Sequence, residues 1–167
     1  KIALDTVRDY SNYLTQAFLL FELPFFSFSL KESMTRNRKM YCSDVGLRNA
    51  VTKSFSNDEG RILENIVFLE LRKKGNELYY WKDSHGQETD FIEKKGTRII
   101  QAIQVTQELN PKNQTRELNA LFNALQKFKL KTGTIITKKQ EKKIKQKNKT
   151  IHITPLWKWL LEQQTKK

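Results

Sequence analysis

The 167-residue sequence contains one cysteine, two histidines and three prolines. Because Cys42 has no partner, an internal disulfide and a multi-cysteine metal site are excluded, and a reducing, cytoplasmic compartment is expected. His85 and His152 are far apart in sequence and have no acidic or cysteine neighbours at ligand spacing, which argues against a zinc site. The longest apolar stretch, residues 17–30, is interrupted by a charge and a proline and is too short to span a bilayer, so no membrane partner is expected. No signal peptide is visible.

The sequence also lacks a phosphate-binding loop. No G-x-x-x-x-G-K-[ST] motif occurs, so ATP is not expected to bind to this chain. The sequence begins at Lys1, without methionine, in a segment that already has helical periodicity. We therefore expect the chain to be a piece of a longer protein.

Acidic residues are scarce in the last third of the chain. Residues 1–111 contain 16 Lys and Arg against 15 Asp and Glu, whereas residues 112–167 contain 15 against 3, and the net charge is +13. Seven lysines fall within twelve positions: Lys138, Lys139, Lys142, Lys143, Lys145, Lys147 and Lys149. This segment predicts either a loop that binds DNA phosphates without base readout or a solvated hairpin loop.

The hydrophobic periodicity predicts an α/β domain. Residues 61–74 are apolar around most of the helical wheel, which indicates a buried helix. The predicted elements that follow are strands at 77–82, 88–94 and 98–106, a helix after Pro111, strands at 134–137 and 150–153, and a terminal helix from Pro155. This order predicts a mixed β-sheet flanked by helices.

The N-terminal segment predicts a helix followed by a β-ribbon. The helix begins near Asp5, strands are expected at 19–23 and 24–30, and residues 31–39 are expected to form a polar loop. A helix followed by a ribbon is typical of the end of a winged helix, whose helix lies in the DNA major groove. An ordinary core helix with a hairpin fits the same pattern.

A group of polar residues suggests a degenerate nuclease site. Glu64 on the apolar helix and Asp90 on a strand are oxygen ligands of the kind that a Mg²⁺-dependent nuclease requires. Glu70 has apolar neighbours on the same helix, so the helical pattern alone does not single out Glu64. Gln104 and Thr106 occupy the positions at which such a site carries a second acid and a lysine. Without the lysine, cleavage is expected to be slower by about two to three orders of magnitude. Strand alternation predicts that Glu88, Asp90 and Ile92 share a face, and Glu88 could complete a metal shell.

Several short motifs resemble one family. The sequences G-R-I-L-E-N at 60–65, G-Q-E-T-D-F at 86–91, I-Q-V at 103–105 and T-R-E at 115–117 resemble the C-terminal domain of unknown function that follows the AAA+ ATPase module in many archaeal and bacterial proteins. Residues 39–47 resemble the lead-in between a winged helix and that domain. The resemblance implies a winged-helix-like segment at 1–38, a restriction-endonuclease-like (PD-(D/E)XK) domain at 39–167, and an ATPase module upstream of Lys1.

Three functions remain open from the sequence. The first is a nucleic-acid-binding or substrate-docking C-terminal domain of an AAA+ ATPase, with DNA and the upstream module as partners and with a nuclease site that no longer cleaves. The second is a metal-dependent DNA nuclease that uses Glu64, Asp90 and Gln104, with Glu64 and Asp90 binding Mg²⁺. The third is a protein-interaction or oligomerisation domain that regulates the ATPase. The sequence does not determine the oligomeric state.

Overall fold

The computed structural model describes residues 3–51 and 59–164. Its elements are α1 (Leu4–Gln16), β1 (Leu20–Leu23), α2 (Leu30–Thr35), β2 (Lys39–Cys42), α3 (Val45–Val51), α4 (Glu59–Arg72), β3 (Glu77–Lys82), β4 (Glu88–Lys95), β5 (Arg98–Val105), α5 (Gln114–Lys127), β6 (Thr132–Thr137), β7 (Lys142–Gln146), β8 (Lys149–Pro155) and α6 (Leu156–Gln164). Within these ranges the chain forms an α/β fold with a mixed six-stranded sheet, as the sequence predicted.

The large sheet has the strand order β3-β4-β5-β6-β8-β7. The pairs β3–β4 and β4–β5 are antiparallel, β5, β6 and β8 run parallel, and β7 pairs antiparallel to β8 at the outer edge. The central strands are completely buried at Ala102, Ile103, Ile135 and Ile136. Helix α5 connects two parallel strands, β5 and β6, and buries Leu121 and Leu125 against the sheet.

The N-terminal ribbon differs from the prediction. Strand β1 pairs antiparallel with β2, from Leu20–Cys42 to Leu23–Lys39, and residues 24–30 form no regular strand. Beyond Pro24, only Phe25 makes an isolated bridge to Tyr80. The predicted loop at 31–39 contains α2, because the Ser29 side chain accepts the Glu32 N–H and caps a helix there. The β1–β2 pairing crosses the predicted domain boundary between residues 38 and 39.

The lysine-rich segment also differs from the prediction. Residues 142–146 form strand β7 instead of a loop, because the free edge of β8 supplies hydrogen-bond partners for the backbone. Ile144, opposite Ile151, is the one half-buried side chain of β7, and its lysines are exposed. In residues 3–51 and 59–164, no helix has both the length and the apolar character needed to cross a membrane.

Candidate functional site

Three carboxylates converge on one lysine ammonium group. Lys39 Nζ lies 2.8 Å from Glu64 Oε1, 2.6 Å from Glu88 Oε1 and 3.1 Å from Asp90 Oδ1. The Tyr41 hydroxyl donates a hydrogen bond to the same Glu64 oxygen at 2.6 Å. The structure therefore brings the two predicted acids, Glu64 and Asp90, together around a cation that the sequence analysis did not assign to the site. We call Lys39, Glu64, Glu88 and Asp90 the Lys39 cluster.

Helix α4 holds strand β2, and hence Lys39, in place. The Asn65 side chain accepts the Cys42 N–H at 2.8 Å and donates to the Cys42 carbonyl at 2.9 Å, so its amide replaces a neighbouring strand. The Tyr41 ring stacks on Phe68 with a centroid distance of 4.2 Å. Because Lys39 and Tyr41 are two residues apart on a strand, both side chains point toward α4.

An irregularity in β4 turns Asp90 toward α4. Strand β4 pairs with β3 at Tyr79–Ile92 and at Trp81–Thr89, so the register shifts by one residue between these pairs. The Thr89 hydroxyl donates to Ala120 of α5, whereas the next two residues, Asp90 and Phe91, both face α4. Ile92 then points to the opposite face. The prediction that Glu88, Asp90 and Ile92 share one face is therefore wrong for Ile92, because a bulge re-aims the strand.

Gln104 and Thr106 do not contact Lys39. Gln104 Nε2 donates to Glu117 Oε2 of α5 at 2.7 Å, and Gln104 Oε1 accepts the Asp90 N–H at 3.2 Å. Thr106 Oγ1 donates to the Glu108 carbonyl at 3.1 Å, in the loop that follows β5. The four predicted catalytic residues therefore separate into an acid pair around Lys39, a glutamine bound to α5, and a threonine used in a loop.

Burial and charge set the protonation of the Lys39 cluster. Burial raises the pKa of the Asp90 carboxyl to about 7. For Lys39, burial alone would lower the pKa, but the negative charges of Asp90 and Glu64 outweigh it and raise the pKa above its ordinary value. Burial opposes the ionisation of Glu88, but the hydrogen bonds and positive charges of Lys39 and Lys82 together outweigh burial and lower the pKa of Glu88. Lys39 is therefore charged at neutral pH and unsuited to act as a general base.

The residues of the Lys39 cluster do not fit a Mg²⁺ ion as they are arranged. Mg²⁺ requires oxygen ligands in near-octahedral geometry, and here an ammonium group lies among the three carboxylates. The Gln104 carbonyl oxygen, a potential further ligand, accepts the Asp90 N–H. Throughout the described ranges, no group of three or more His, Cys, Asp or Glu side chains is placed to hold a metal ion. No metal-dependent chemistry follows from this arrangement.

A polar cavity of about 440 Å³ lies beside the Lys39 cluster. Glu88, Asp90, Gln104, Arg116 and Glu117 contribute to its lining. Two Arg116 nitrogens donate to Glu117 Oε1, at 3.2 and 2.6 Å, so the buried Glu117 carboxylate is balanced by Gln104 on one oxygen and Arg116 on the other. The cavity contains acids whose charges are already compensated by protein groups.

The seven predicted DNA-binding lysines divide into two groups. Lys138 Nζ contacts Glu59 Oε2 at 2.8 Å, and Lys149 Nζ donates to the Leu125 and Leu130 carbonyls at 2.9 and 2.7 Å. These two lysines therefore have structural partners. The other five are exposed and form no ion pair with any residue that the structure describes: Lys139, Lys142, Lys143, Lys145 and Lys147. We call these five residues the β7 lysines.

Sequence analysis did not assign Lys39, Tyr41 or Glu117 to the site. Lys39 and Glu64 are 25 positions apart, and only the packing of β2 on α4 brings them together. Two of the family motifs include these residues without defining a role for them. The lead-in motif begins at Lys39, and the T-R-E motif ends at Glu117. Neither motif reveals the contacts that these side chains make.

Two known family models match this chain. The model described as "Domain of unknown function (DUF4143)" matches residues 59–159, and the model described as "Domain of unknown function (DUF8612)" matches residues 1–58. The chain therefore belongs to the DUF4143 family. The match confirms the predicted domain of unknown function, and the division between the two matched regions falls between residues 58 and 59.

Two curated proteins are similar to this chain. An uncharacterized protein of Methanocaldococcus jannaschii is 37% identical over 170 residues, which cover 96% of this chain and 37% of the relative. An uncharacterized protein of Haemophilus influenzae is 35% identical over 126 residues, which cover 74% of this chain and 30% of the relative. The chain thus spans about a third of the length of these relatives. No solved structure matches it.

Proposed function

We propose that this member of the DUF4143 family is the nucleic-acid-binding C-terminal domain of an AAA+ ATPase and that its nuclease-like site does not cleave. The observation that carries the proposal is the set of β7 lysines: three exposed ammonium groups on the edge strand of the large sheet and two more in the segments that flank it. An edge strand is accessible along its length, and lysines on it contact phosphates without reading bases. The preferred ligand is therefore duplex DNA of any sequence.

The geometry of β7 supports contact with a phosphate backbone. Lys143 and Lys145 are two residues apart on one strand, so their side chains leave the same face about 7 Å from each other. Lys147 follows in the β7–β8 turn, and Lys139 precedes the strand. If all five β7 lysines contact phosphates, the logarithm of the affinity should fall with the logarithm of the salt concentration with a slope of about −4.5.

The Lys39 cluster supports the absence of cleavage. Lys39 contacts all three acids, Lys82 pairs with Glu88 at 3.0 Å, and Gln104 is engaged with Glu117 instead of completing a ligand shell. Plasmid nicking with Mg²⁺ or Mn²⁺ tests this part of the proposal directly. The parent protein and the variant Asp90→Ala should give the same background, and nicking that disappears in Asp90→Ala would restore the nuclease hypothesis.

The ATPase context and the two predicted fold families are part of the proposal. The order α4, β3, β4, β5, α5, β6 supports a PD-(D/E)XK-like domain, and a helix followed by the β1–β2 ribbon supports a winged-helix remnant. In each of the two relatives, well over half of the sequence lies outside the region that matches this chain, and an ATPase module could lie there. The family resemblance of the 60–65 and 86–91 motifs supports the same arrangement.

Fluorescence anisotropy with a labelled duplex of about 20 base pairs at about 50 mM salt tests the DNA-binding proposal. The double variant Lys143→Glu/Lys145→Glu should weaken binding about tenfold or more, because it replaces two attractions with two repulsions. The matched control, Lys31→Glu/Lys95→Glu, makes the same charge change at two exposed lysines away from β7 and should bind more tightly than the β7 variant. Failure of the parent to bind the duplex would refute the proposal, as would equal losses in both variants.

A further inference from the structure

A second surface of the protein combines an apolar groove with a cationic rim. The groove, of about 940 Å³, opens between the β4–β5 turn, the C-terminal end of α5 and the segment that leads into α2. Phe26, Tyr79 and Phe128 line it, and the Phe26 ring packs edge to face on the other two at centroid distances of 5.4 and 5.1 Å. Phe28, which is 79% exposed, lies 5.2 Å from Phe26 and forms a wall.

The charged side chains that line the groove are all cationic, and the nearest acids, Glu77 and Glu32, lie behind the lining, where they accept hydrogen bonds from Tyr79 and Ser27. Lys94, Arg98, Lys127 and Lys129 lie on its rim, and none of the lining residues is acidic. Lys94 is paired with Glu77 at 2.8 Å. The other three cations are exposed, make no ion pair within the described residues, and leave the rim with three uncompensated positive charges. Lys127 Nζ lies 5.9 Å from the Phe28 ring centroid, so positive charge stands directly beside the apolar wall.

The groove is remote from the Lys39 cluster. Arg98 begins β5, whereas Asp90 contacts the backbone N–H of Val105 at the other end of the same strand. The eight residues of β5 therefore separate Arg98, on the rim of the groove, from the Asp90 end of the strand by about 23 Å. A ligand in the groove does not use the candidate nuclease site.

We propose that this groove binds an acidic peptide segment of another protein. An aromatic or branched apolar side chain of that segment inserts beside Phe28 and over the Phe26 and Phe128 rings, and its carboxylates contact Arg98, Lys127 and Lys129. Charge complementarity selects an anionic partner, and the exposed Phe28 and Leu30, the latter 76% exposed, form an apolar patch of the kind that marks interaction sites. This inference goes beyond the proposed function, because it adds a protein partner to a DNA-binding domain.

The ring arrangement favours a peptide over single-stranded nucleic acid. Binding a strand by stacking requires several aromatic faces open to solvent. Here Phe26 is buried and holds the Tyr79 and Phe128 rings edge to face, so Phe28 is the one lining ring that is largely exposed. A concave apolar floor with charges only at the rim matches a side-chain anchor flanked by carboxylates.

Selection of random twelve-residue peptides displayed on phage, against the immobilised whole chain, tests the proposal. The enriched peptides should combine Asp or Glu with at least one Phe, Trp, Leu or Ile. Synthetic copies of the enriched peptides should lose about tenfold or more in affinity for Phe28→Asp and for Lys127→Glu/Lys129→Glu, as expected when a central anchor is removed. Phe28 and Lys127 are exposed, so the variants should keep the thermal unfolding of the parent.

Matched variants separate the groove from the general charge of the protein. Leu161→Asp places the same charge on an apolar residue of α6 that is 55% exposed, and Lys143→Glu/Lys145→Glu reverses two lysines on β7. Both should retain peptide binding. Enriched peptides without acids, or affinity that is indifferent to Phe28→Asp, would overturn the proposal. Binding of oligo(dT) that is lost in Phe28→Asp, with no peptide enriched, would assign the groove to single-stranded nucleic acid instead.

Discussion

Gln104 and Glu117 form a buried hydrogen bond in which the amide of β5 donates to the carboxylate of α5 at 2.7 Å. The family resemblance predicts a second acid of a PD-(D/E)XK site at the position of Gln104. In this protein a carboxylate is present nearby, but it comes from α5, and the glutamine amide satisfies it. Residue 104 is therefore an amide for a structural reason: a second acid there would face Glu117 across a hydrogen-bond distance.

Replacing Gln104 with glutamate should destabilise the fold. Gln104→Glu puts two buried carboxylates in contact and should lower the free energy of unfolding by about 2–4 kcal/mol, measured by urea denaturation at pH 8. The exchange variant Gln104→Glu/Glu117→Gln should recover most of this loss, because one donor and one acceptor are restored. Gln126→Glu, at an exposed position of α5, should change stability by about 0.5 kcal/mol or less. Equal stability of the parent and Gln104→Glu would contradict the prediction.

The same contact bears on any attempt to restore a nuclease site. The double variant Gln104→Glu/Thr106→Lys should lose stability and gain no nicking activity, because Glu117 opposes the new acid and Thr106 makes its contact in the loop after β5. Nicking by this variant that is abolished by Asp90→Ala would show that the site tolerates the restored residues.

Removing the Lys39 ammonium should leave mutually repelling acids. Lys39→Met should destabilise the protein by about 2–3 kcal/mol. This is less than the loss of a fully buried ion pair would cost, because Lys39 and its carboxylate partners are only partly buried. Mg²⁺ at about 10 mM should raise the thermal midpoint of Lys39→Met more than that of the parent, because Glu64 and Asp90 then lack their ammonium partner, while Glu88 keeps Lys82 at 3.0 Å. Lys138→Met removes an exposed ion pair to Glu59 and should cost about 1 kcal/mol or less. Identical responses of Lys39→Met and Lys138→Met would show that Lys39 does not organise the acids.

The raised pKa of Asp90 predicts a particular dependence of stability on pH. The native carboxyl has a pKa of about 7 against 3.8 ordinarily, so the folded state holds a proton that the unfolded state releases between these values. The contribution of Asp90 to stability therefore falls as pH rises from about 4 to 7 and is constant above, at about 1.4 kcal/mol per unit of pKa difference. Relative to the parent, Asp90→Asn should gain stability across this window.

Glu88 serves as a control because its pKa is shifted in the opposite direction to that of Asp90. Its pKa is lowered, so its contribution to stability is present above its ordinary pKa of 4.5 and is lost as pH falls through the lowered native value. Relative to the parent, Glu88→Gln should lose stability as pH rises through this acidic range. Urea denaturation of the three proteins at several pH values between about 3 and 8 makes the comparison. Parallel curves for Asp90→Asn and the parent would rule out the raised pKa.

Lys149 and Lys147, two residues apart, should respond differently to substitution. Lys149 Nζ donates to the Leu125 and Leu130 carbonyls at the C-terminal end of α5, so Lys149→Met should cost about 1–2 kcal/mol. Lys147→Met, at an exposed position in the turn, should stay within about 0.5 kcal/mol of the parent. In the anisotropy assay, Lys147→Glu should weaken DNA binding, as expected for one of the β7 lysines, whereas Lys149→Met should not. A larger stability loss for Lys147→Met than for Lys149→Met would reverse the assignment.

Local periodicity predicted most of the large sheet and its main helices. The apolar helix at 61–74 corresponds to α4, and the strands predicted at 77–82, 88–94 and 98–106 correspond closely to β3, β4 and β5. These elements are predictable because the apolar side chains that each of them buries recur along the sequence with the period of a helix or of a strand. Strand β7 was missed because lysines dominate it, and its strand conformation depends on hydrogen bonds to β8. The pairing of β1 with β2 was missed because the strands are separated by α2 and lie far apart in sequence.

By itself, the sequence determined the α/β class and the concentration of positive charge after residue 111, because these follow from composition and short-range spacing, and the family resemblance of its motifs pointed to the two acids Glu64 and Asp90. Only the tertiary structure decided what those acids do. Packing of β2 on α4 places Lys39 among them, a bulge in β4 aims Asp90 at that ammonium, and α5 presents Glu117 to Gln104. Each of these contacts joins residues 13 or more positions apart, and side chains separated in this way have no fixed spatial relation until the sheet and its helices have packed.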